Sequence, residues 1–246
     1  MRKKVLNTTT PNVATPSQPV VGTMLSFQSG QIININKPAG WTSFDVVRRI
    51  RQAIKVKKVG HAGTLDPFAT GVLLVCTGKA TKRVNELMHL EKEYRADIEL
   101  GKTTDTYDCT GKVTSHHTTE AVTESRIRDV CQEFVGEIEQ VPPMYSAIKQ
   151  NGTRLYELAR RGVTVERAPR RVCIYELNIL KIDLPIVSIE VVCSKGTYIR
   201  ALANDIGGKL DCGGYLGSLC RTRIGSYKVE DAETITSFTE TYGCFD

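Results

Sequence analysis

The sequence predicts an α+β fold: a mixed, largely antiparallel central sheet flanked by helices. Three observations carry this. Strand-like and helix-like segments are mixed along the 246 residues without regular βαβ alternation, which argues against a doubly wound sheet. Two β-rich runs, 172–183 and 186–194, are separated only by Leu184-Pro185, as in a hairpin. Hydrophobic residues make up 41% and charged residues 24%, so a sizeable core is possible and global disorder is excluded.

The elements follow in order. Residues 1–28 are polar and Pro/Thr-containing and read as a mobile N-terminal tail. Gln31 to Asn36 alternates as a short strand, broken by the turn Lys37-Pro38-Ala39-Gly40. Thr42 or Ser43 caps a helix with Asp45 in its first turn. Val47, Ile50 and Ile54 recur along it at helical spacing and leave Arg48, Arg49 and Arg51 on exposed faces. A Gly-rich segment, 60–71, precedes the unbroken apolar run Val72–Cys76, read as a buried strand. A helix from Ala80 to Leu90 and a strand from Tyr94 to Leu100 come next. Ile127, Val130, Cys131 and Phe134 mark an amphipathic helix that ends near Gly136.

Net charge is +6, but its distribution says more. Residues 37–58, 149–171 and 195–228 together hold +15, so the remainder is −9. Three separated basic segments that can assemble one surface are the footprint of a phosphate-backbone partner. Solvated faces of an ordinary protein are the alternative.

Several classes are excluded. None of the eight cysteines forms a C-x-x-C pair, and only four His are present, so zinc-finger and ribbon patterns fail. Cys76 and Cys193 lie in apolar runs and read as core residues, which fits a reducing cytosol. No signal peptide follows the basic start, and no apolar run spans a membrane. A phosphate loop fails because Leu73 stands where its first glycine belongs and Ala80 follows Gly78-Lys79. A glycoside hydrolase would need a second facing carboxylate; no neighbouring motif offers one, so that class is unsupported rather than excluded.

The segment that carries chemistry is Gly60-His61-Ala62-Gly63-Thr64-Leu65-Asp66-Pro67-Phe68-Ala69-Thr70-Gly71. Its glycines allow unusual φ and close approach of a ligand, and Pro67 keeps Asp66 out of the α region. The result is a stiff loop presenting one carboxylate. By spacing alone it reads at least as readily as a tight turn with an Asx hydrogen bond.

This segment resembles the catalytic motif of the TruB family, the bacterial tRNA pseudouridine-55 synthases. So do Asn36-Lys37-Pro38-Ala39-Gly40-Trp41-Thr42-Ser43, Lys92-Glu93-Tyr94-Arg95, the turn Gly101–Gly111, Val141–Lys149, Cys193–Arg200 and Gly214–Gly225, in the family's order over about residues 30–226. The resemblance implies a pseudouridine synthase fold, with residues 29–228 as the catalytic domain. It implies isomerisation of one uridine in the T-loop of tRNA, without a metal or other cofactor. Asp66 matches the catalytic aspartate, and Arg200 the arginine that keeps it ionised. Tyr94 matches the tyrosine stacked on the target base, Tyr198 a second pocket tyrosine, and Leu219 an apolar wall. Lys37 and Pro38 match the motif flanking the site and are expected to support substrate binding. His61 matches a residue that holds the RNA loop while the base is flipped out. Residues 147–171 resemble the thumb loop, whose Lys149, Arg154, Arg160 and Arg161 meet RNA and which orders on binding.

Residues 229–246 hold five acids and no base, read as an acidic tail too short for the C-terminal PUA domain of many family members. Monomer is the default, and the cytoplasm the expected location. A non-catalytic RNA-folding chaperone and a guide-RNA-dependent dyskerin-type synthase are the competing readings. If the basic segments meet phosphates, the logarithm of the RNA association constant falls linearly with that of salt concentration; a flat line in a filter-binding series would refute the assignment.

Overall fold

A computed structural model describes residues 26–150 and 152–243. Residues 1–25 of the expected tail, Asn151 of the thumb and Cys244–Asp246 lie outside the described residues.

The strands are β1 (Ile32–Lys37), β2 (Val59–Ala62), β3 (Thr70–Thr77), β4 (Lys92–Leu100), β5 (Lys102–Thr104), β6 (Val113–His116), β7 (Gly136–Gln140), β8 (Lys149–Gln150), β9 (Thr153–Arg154), β10 (Arg170–Asp183), β11 (Ile186–Cys193), β12 (Gly214–Ile224), β13 (Tyr227–Lys228) and β14 (Glu233–Thr234). The helices are α1 (Ser43–Ile54), α2 (Val84–His89), α3 (Glu124–Glu133), α4 (Leu155–Arg160), α5 (Ile199–Lys209) and α6 (Ile235–Tyr242). The main sheet runs β14-β1-β3-β12-β4-β11-β10-β7, with β2 added on β3 and β13 on β12. Only β1/β14 and β3/β12 are parallel; the other pairings in this sheet are antiparallel, as expected. The hairpin on Leu184-Pro185 forms, with Ile179 opposite Ile189 and Val187 opposite Ile182.

One core joins β4, β10, β11 and β12 to α3 and α5, through residues such as Ile98, Ile189, Ile127 and Leu202. A second joins β1 and β3 to α1 and α6. Leu73 and Val75 of β3 enter that second core, whereas Val72, Leu74 and Cys76 pack against Leu87 and Ile224 on the other side. β3 is therefore covered on both faces, which is why its sequence is apolar without alternation.

Local chemistry sets the helix ends. Thr42 Oγ1 accepts from the Asp45 amide at 3.0 Å, and Asp45 Oδ2 accepts from the Thr42 amide at 3.0 Å, a complete capping box. Thr42 is thus the cap and Ser43 turns inward. The helix expected over 80–90 is split. Gly78–Arg83 winds as a 3-10 turn, with the Thr81 hydroxyl donating to the Gly78 carbonyl at 2.8 Å, and α2 follows.

Both expected tails need correction at their inner ends. Residues 26–29 are helical, and Phe27 is buried. Residues 233–242 are no tail: β14 pairs with β1, and α6 buries Ile235 and Phe238 in the second core. Phe27, Phe238 and Tyr242 form an aromatic trio with centroids 4.9–5.9 Å apart. Among these acidic residues, Ile235, Phe238 and Tyr242 recur at helical spacing and are apolar. Phe238 is 1% exposed. Phe238→Ala should therefore cost ~3–5 kcal/mol in urea unfolding, where truncation in a solvated tail would cost nothing measurable.

Candidate active site

Asp66 sits on the loop between β2 and β3, and the sequence around it is anchored on both sides. Ser43 Oγ donates to the Leu65 carbonyl at 3.2 Å and accepts from the Leu65 amide at 2.9 Å. The Pro67 carbonyl accepts from the Gly40 amide at 2.8 Å and from Lys37 Nζ at 3.1 Å. The turn 37–43 is thus a clamp on the backbone flanking Asp66. At the far end, Gly71 has φ +99°, and a Cβ there would lie 2.2 Å from the Arg221 carbonyl, so only glycine lets β3 approach β12.

Arg200, in the first turn of α5, meets the carboxylate with two nitrogens. Nη2 donates to Asp66 Oδ1 at 3.1 Å, and Nε lies 2.9 Å from Oδ2, off the axis of an aligned hydrogen bond. The guanidinium also donates to the carbonyls of Thr106 (3.0 Å) and Tyr145 (2.8 Å) and lies 3.4 Å from Asp108 Oδ2. The arginine side chain is 4% exposed and that of Asp66 is 32%, so the carboxylate is presented to solvent from a buried cation. Asp108 is locked by the Thr106 hydroxyl (2.7 Å) and by the amide and hydroxyl of Thr110 (2.9 and 2.6 Å).

Burial pushes the Asp66 carboxyl up; Arg200 opposes it, Asp108 adds to it and Lys37 opposes, with a net upward direction. Arg200 therefore offsets burial in part.

Tyr94 lies on β4 in the same core cluster as Leu65, Ala69 and Leu219. Burial raises its phenol, with the Arg221 charge pulling back. Tyr198 caps α5 and is half-buried; burial raises its phenol too. Leu219 pairs with Ala96 across β12 and β4. Register shifts on both sides of Leu219–Arg221, at 216/218 and 221/223, bracket this stretch of β12. His61 on β2 is half-buried; burial, then Arg221, holds its ring below the usual histidine value, opposed by a backbone contact with Gly63.

The structure pairs Asp66 with Arg200, puts Tyr94 and Tyr198 within the reach of the Asp66 charge and Leu219 in the core cluster of Tyr94, and links His61 to Tyr94 through Arg221. Lys37 requires correction as a residue that touches substrate. It is 0% exposed, and its amine is spent on the carbonyls of Pro38 (2.8 Å), Trp41 (2.7 Å) and Pro67. Burial pulls it down to about 8, with Asp66 opposing and Arg221 adding. Pro38 is exposed beside it. Lys149, Arg154, Arg160 and Arg161 are exposed on the thumb, whose Leu155 is buried. Arg154 and Arg160 flank the Tyr156 ring at 5.9 and 5.5 Å. The thumb's root touches the site through Tyr145.

Sequence reasoning missed two residues. Asp108 lay within a quoted motif without a role; its signal was the row Thr104-Asp105-Thr106-Tyr107-Asp108. Arg221 is 1% exposed, and Nε donates to the Val72 carbonyl (2.7 Å) and Nη2 to the Gly63 carbonyl (3.1 Å), clamping the start of the loop to β3. Nothing in a strand read residue by residue marks a buried arginine.

Residues 51–199 match the TruB family pseudouridylate synthase N-terminal domain. In Bacteroides fragilis, tRNA pseudouridine synthase B is 49% identical over 222 residues, covering 88% of this chain and 95% of that one. The Clostridium kluyveri protein of the same name is 52% identical over 201 residues, covering 82% and 69%. Among solved structures, a chain in the crystal structure of a Cbf5-Nop10-Gar1 complex superposes with a TM-score of 0.70 at 35% identity, covering 89% of this chain and 56% of that one. The fold is of the pseudouridine synthase class. The chain belongs to the TruB family of pseudouridylate synthases.

In an NMR titration, the Asp66 carboxyl should protonate above the ordinary aspartate value of about 3.9. Asp108→Asn removes a like charge and should move that midpoint down; an unmoved or higher midpoint would contradict the assigned causes.

Proposed function

We propose that the chain isomerises uridine to pseudouridine in tRNA, at the T-loop uridine 55. Support comes first from the Asp66–Arg200 pair, presented beside Tyr94 in a chain 49% identical to a tRNA pseudouridine synthase B over nearly that relative's whole length. In the reaction the N1–C1′ bond breaks, the base turns, a C5–C1′ bond forms, and the C5 proton moves to N1. Bonds and electrons balance within one nucleotide, so the net change calls for no oxidant or second substrate.

Asp66 acts as the carboxylate. It serves either by stabilising positive charge at C1′ as the glycosidic bond opens or by taking a sugar proton. Arg200 holds it ionised against burial and aims it. Tyr94 offers its ring to the face of the uracil, a contact of ~1–3 kcal/mol. Tyr198 stands near the C5 proton and Leu219 walls the pocket. His61, kept neutral, fills the space from which the base is flipped; flipping costs a few kcal/mol, less in a loop than in a duplex. Lys149, Arg154, Arg160 and Arg161 reach the backbone phosphates, and Lys37 acts only through the loop it clamps. The catalytic domain extends through α6 rather than stopping at 228. The enzyme works as a monomer in the cytoplasm, on the T-arm.

Asp66→Asn removes the charge while preserving shape. On a T-arm stem-loop it should bind as wild type does and form no detectable pseudouridine by mass spectrometry after cyanoethylation. Pseudouridine made by the mutant would overturn the mechanism. Wild type that makes none yet speeds tRNA folding would make the chain a chaperone instead.

A further inference from the structure

The start of α1 carries two aromatic side chains that the fold leaves uncovered. Phe44 is 61% exposed, the highest value for a large apolar side chain among the described residues, and Trp41 is 36% exposed. The core face of α1 is filled by Val46, Val47, Ile50 and Ile54, so packing makes no demand for an aromatic at 44.

Their position is defined on two sides. At 100° per residue, Phe44, Arg48 and Arg51 share one flank of the helix. Arg51 Nη2 donates to the Val59 carbonyl at 3.1 Å, which sets that flank against β2, the strand of His61. The Trp41 carbonyl accepts from the Lys37 amine that also holds the Pro67 carbonyl, next to Asp66. On the same flank Arg48 is exposed and paired with Asp45 at 2.8 Å, and Lys57 and Lys58 are exposed beyond the other end of the helix. A surface meant for an apolar protein partner is depleted of charge at its centre; exposed aromatics with arginines on the same flank suit a base attached to phosphates.

We propose that Phe44 and Trp41 form a stacking platform for an unpaired base of the RNA that neighbours the target uridine. This rests on the reading that the substrate is RNA and adds a contact that discriminates single-stranded bases from a bare phosphate chain. Unpaired, splayed bases are the part of a folded RNA that aromatic side chains can reach.

Trp41 is the protein's only tryptophan, so its emission reports on this contact. Titration with a T-arm stem-loop should quench it to saturation; heparin, a polyanion without bases, should bind without comparable quenching. Phe44→Ala should weaken stem-loop binding about tenfold, within the span of one stacked base. Phe44→Tyr should restore it and Phe44→Leu, apolar but not aromatic, should not. Unchanged emission at saturating stem-loop, equal quenching by heparin, or full affinity of Phe44→Ala would overturn the platform. So would self-association abolished by Phe44→Ala, which would make the patch a contact between copies. Pseudouridine formation by wild type is scored in parallel: its absence would count against the enzymatic reading, while quenching and affinity still decide the platform.

Discussion

A guanidinium buried to 4% exposure has to be surrounded by acceptors, and Arg200 gathers them from three other parts of the chain. Asp66 comes from the loop before β3, Thr106 and Asp108 from the turn after β5, Tyr145 from the root of the thumb, and Arg200 itself from α5. Removing one partner of such a buried pair leaves an uncompensated charge and costs ~3–5 kcal/mol. The site is therefore also a structural joint, and the loop, the turn and the thumb are placed relative to one another by the needs of one cation.

A second buried cation extends the same logic. Lys37 gives its amine to three carbonyls, one of them adjacent to Asp66, and Ser43 bonds the backbone on the other side. Arg221 holds the loop's first half through Gly63. Three side chains that bond backbone carbonyls thus make a surface loop stiff. That stiffness is what a single carboxylate needs if it is to stay aimed while a flipped nucleotide enters. The clamp also carries Trp41 and Phe44 on its outer side, so the groups that position the carboxylate and those that face the RNA belong to one short segment.

Asp66 shows how the opposing effects balance. Burial and Asp108 favour the neutral acid, Arg200 and Lys37 the carboxylate, and the net direction is upward. A carboxylate held above its usual range is, once ionised, a stronger base than a free aspartate. Activity that depends on it is complete above the raised value and falls as pH drops through it.

Local pattern was enough for much of this protein. The alternation in β1 and β4, a helix cap at Thr42 or Ser43, the hairpin on Leu184-Pro185 and the stiff Asp66 loop were all legible, because each depends on neighbours in sequence. The ordered motifs pointed to the family and to Asp66, Tyr94, Tyr198, Arg200 and Leu219. What sequence could not decide was which polar groups end up buried. Lys37 looked like a substrate contact, Arg221 looked like any strand residue, and an acidic composition hid a helix whose Phe238 closes the second core. Burial depends on which strands become neighbours from distant parts of the sequence, as when Gly71 is brought against Arg221. Only the tertiary structure decides that, since desolvation and pairing of a charge are properties of its surroundings and not of its place in the chain.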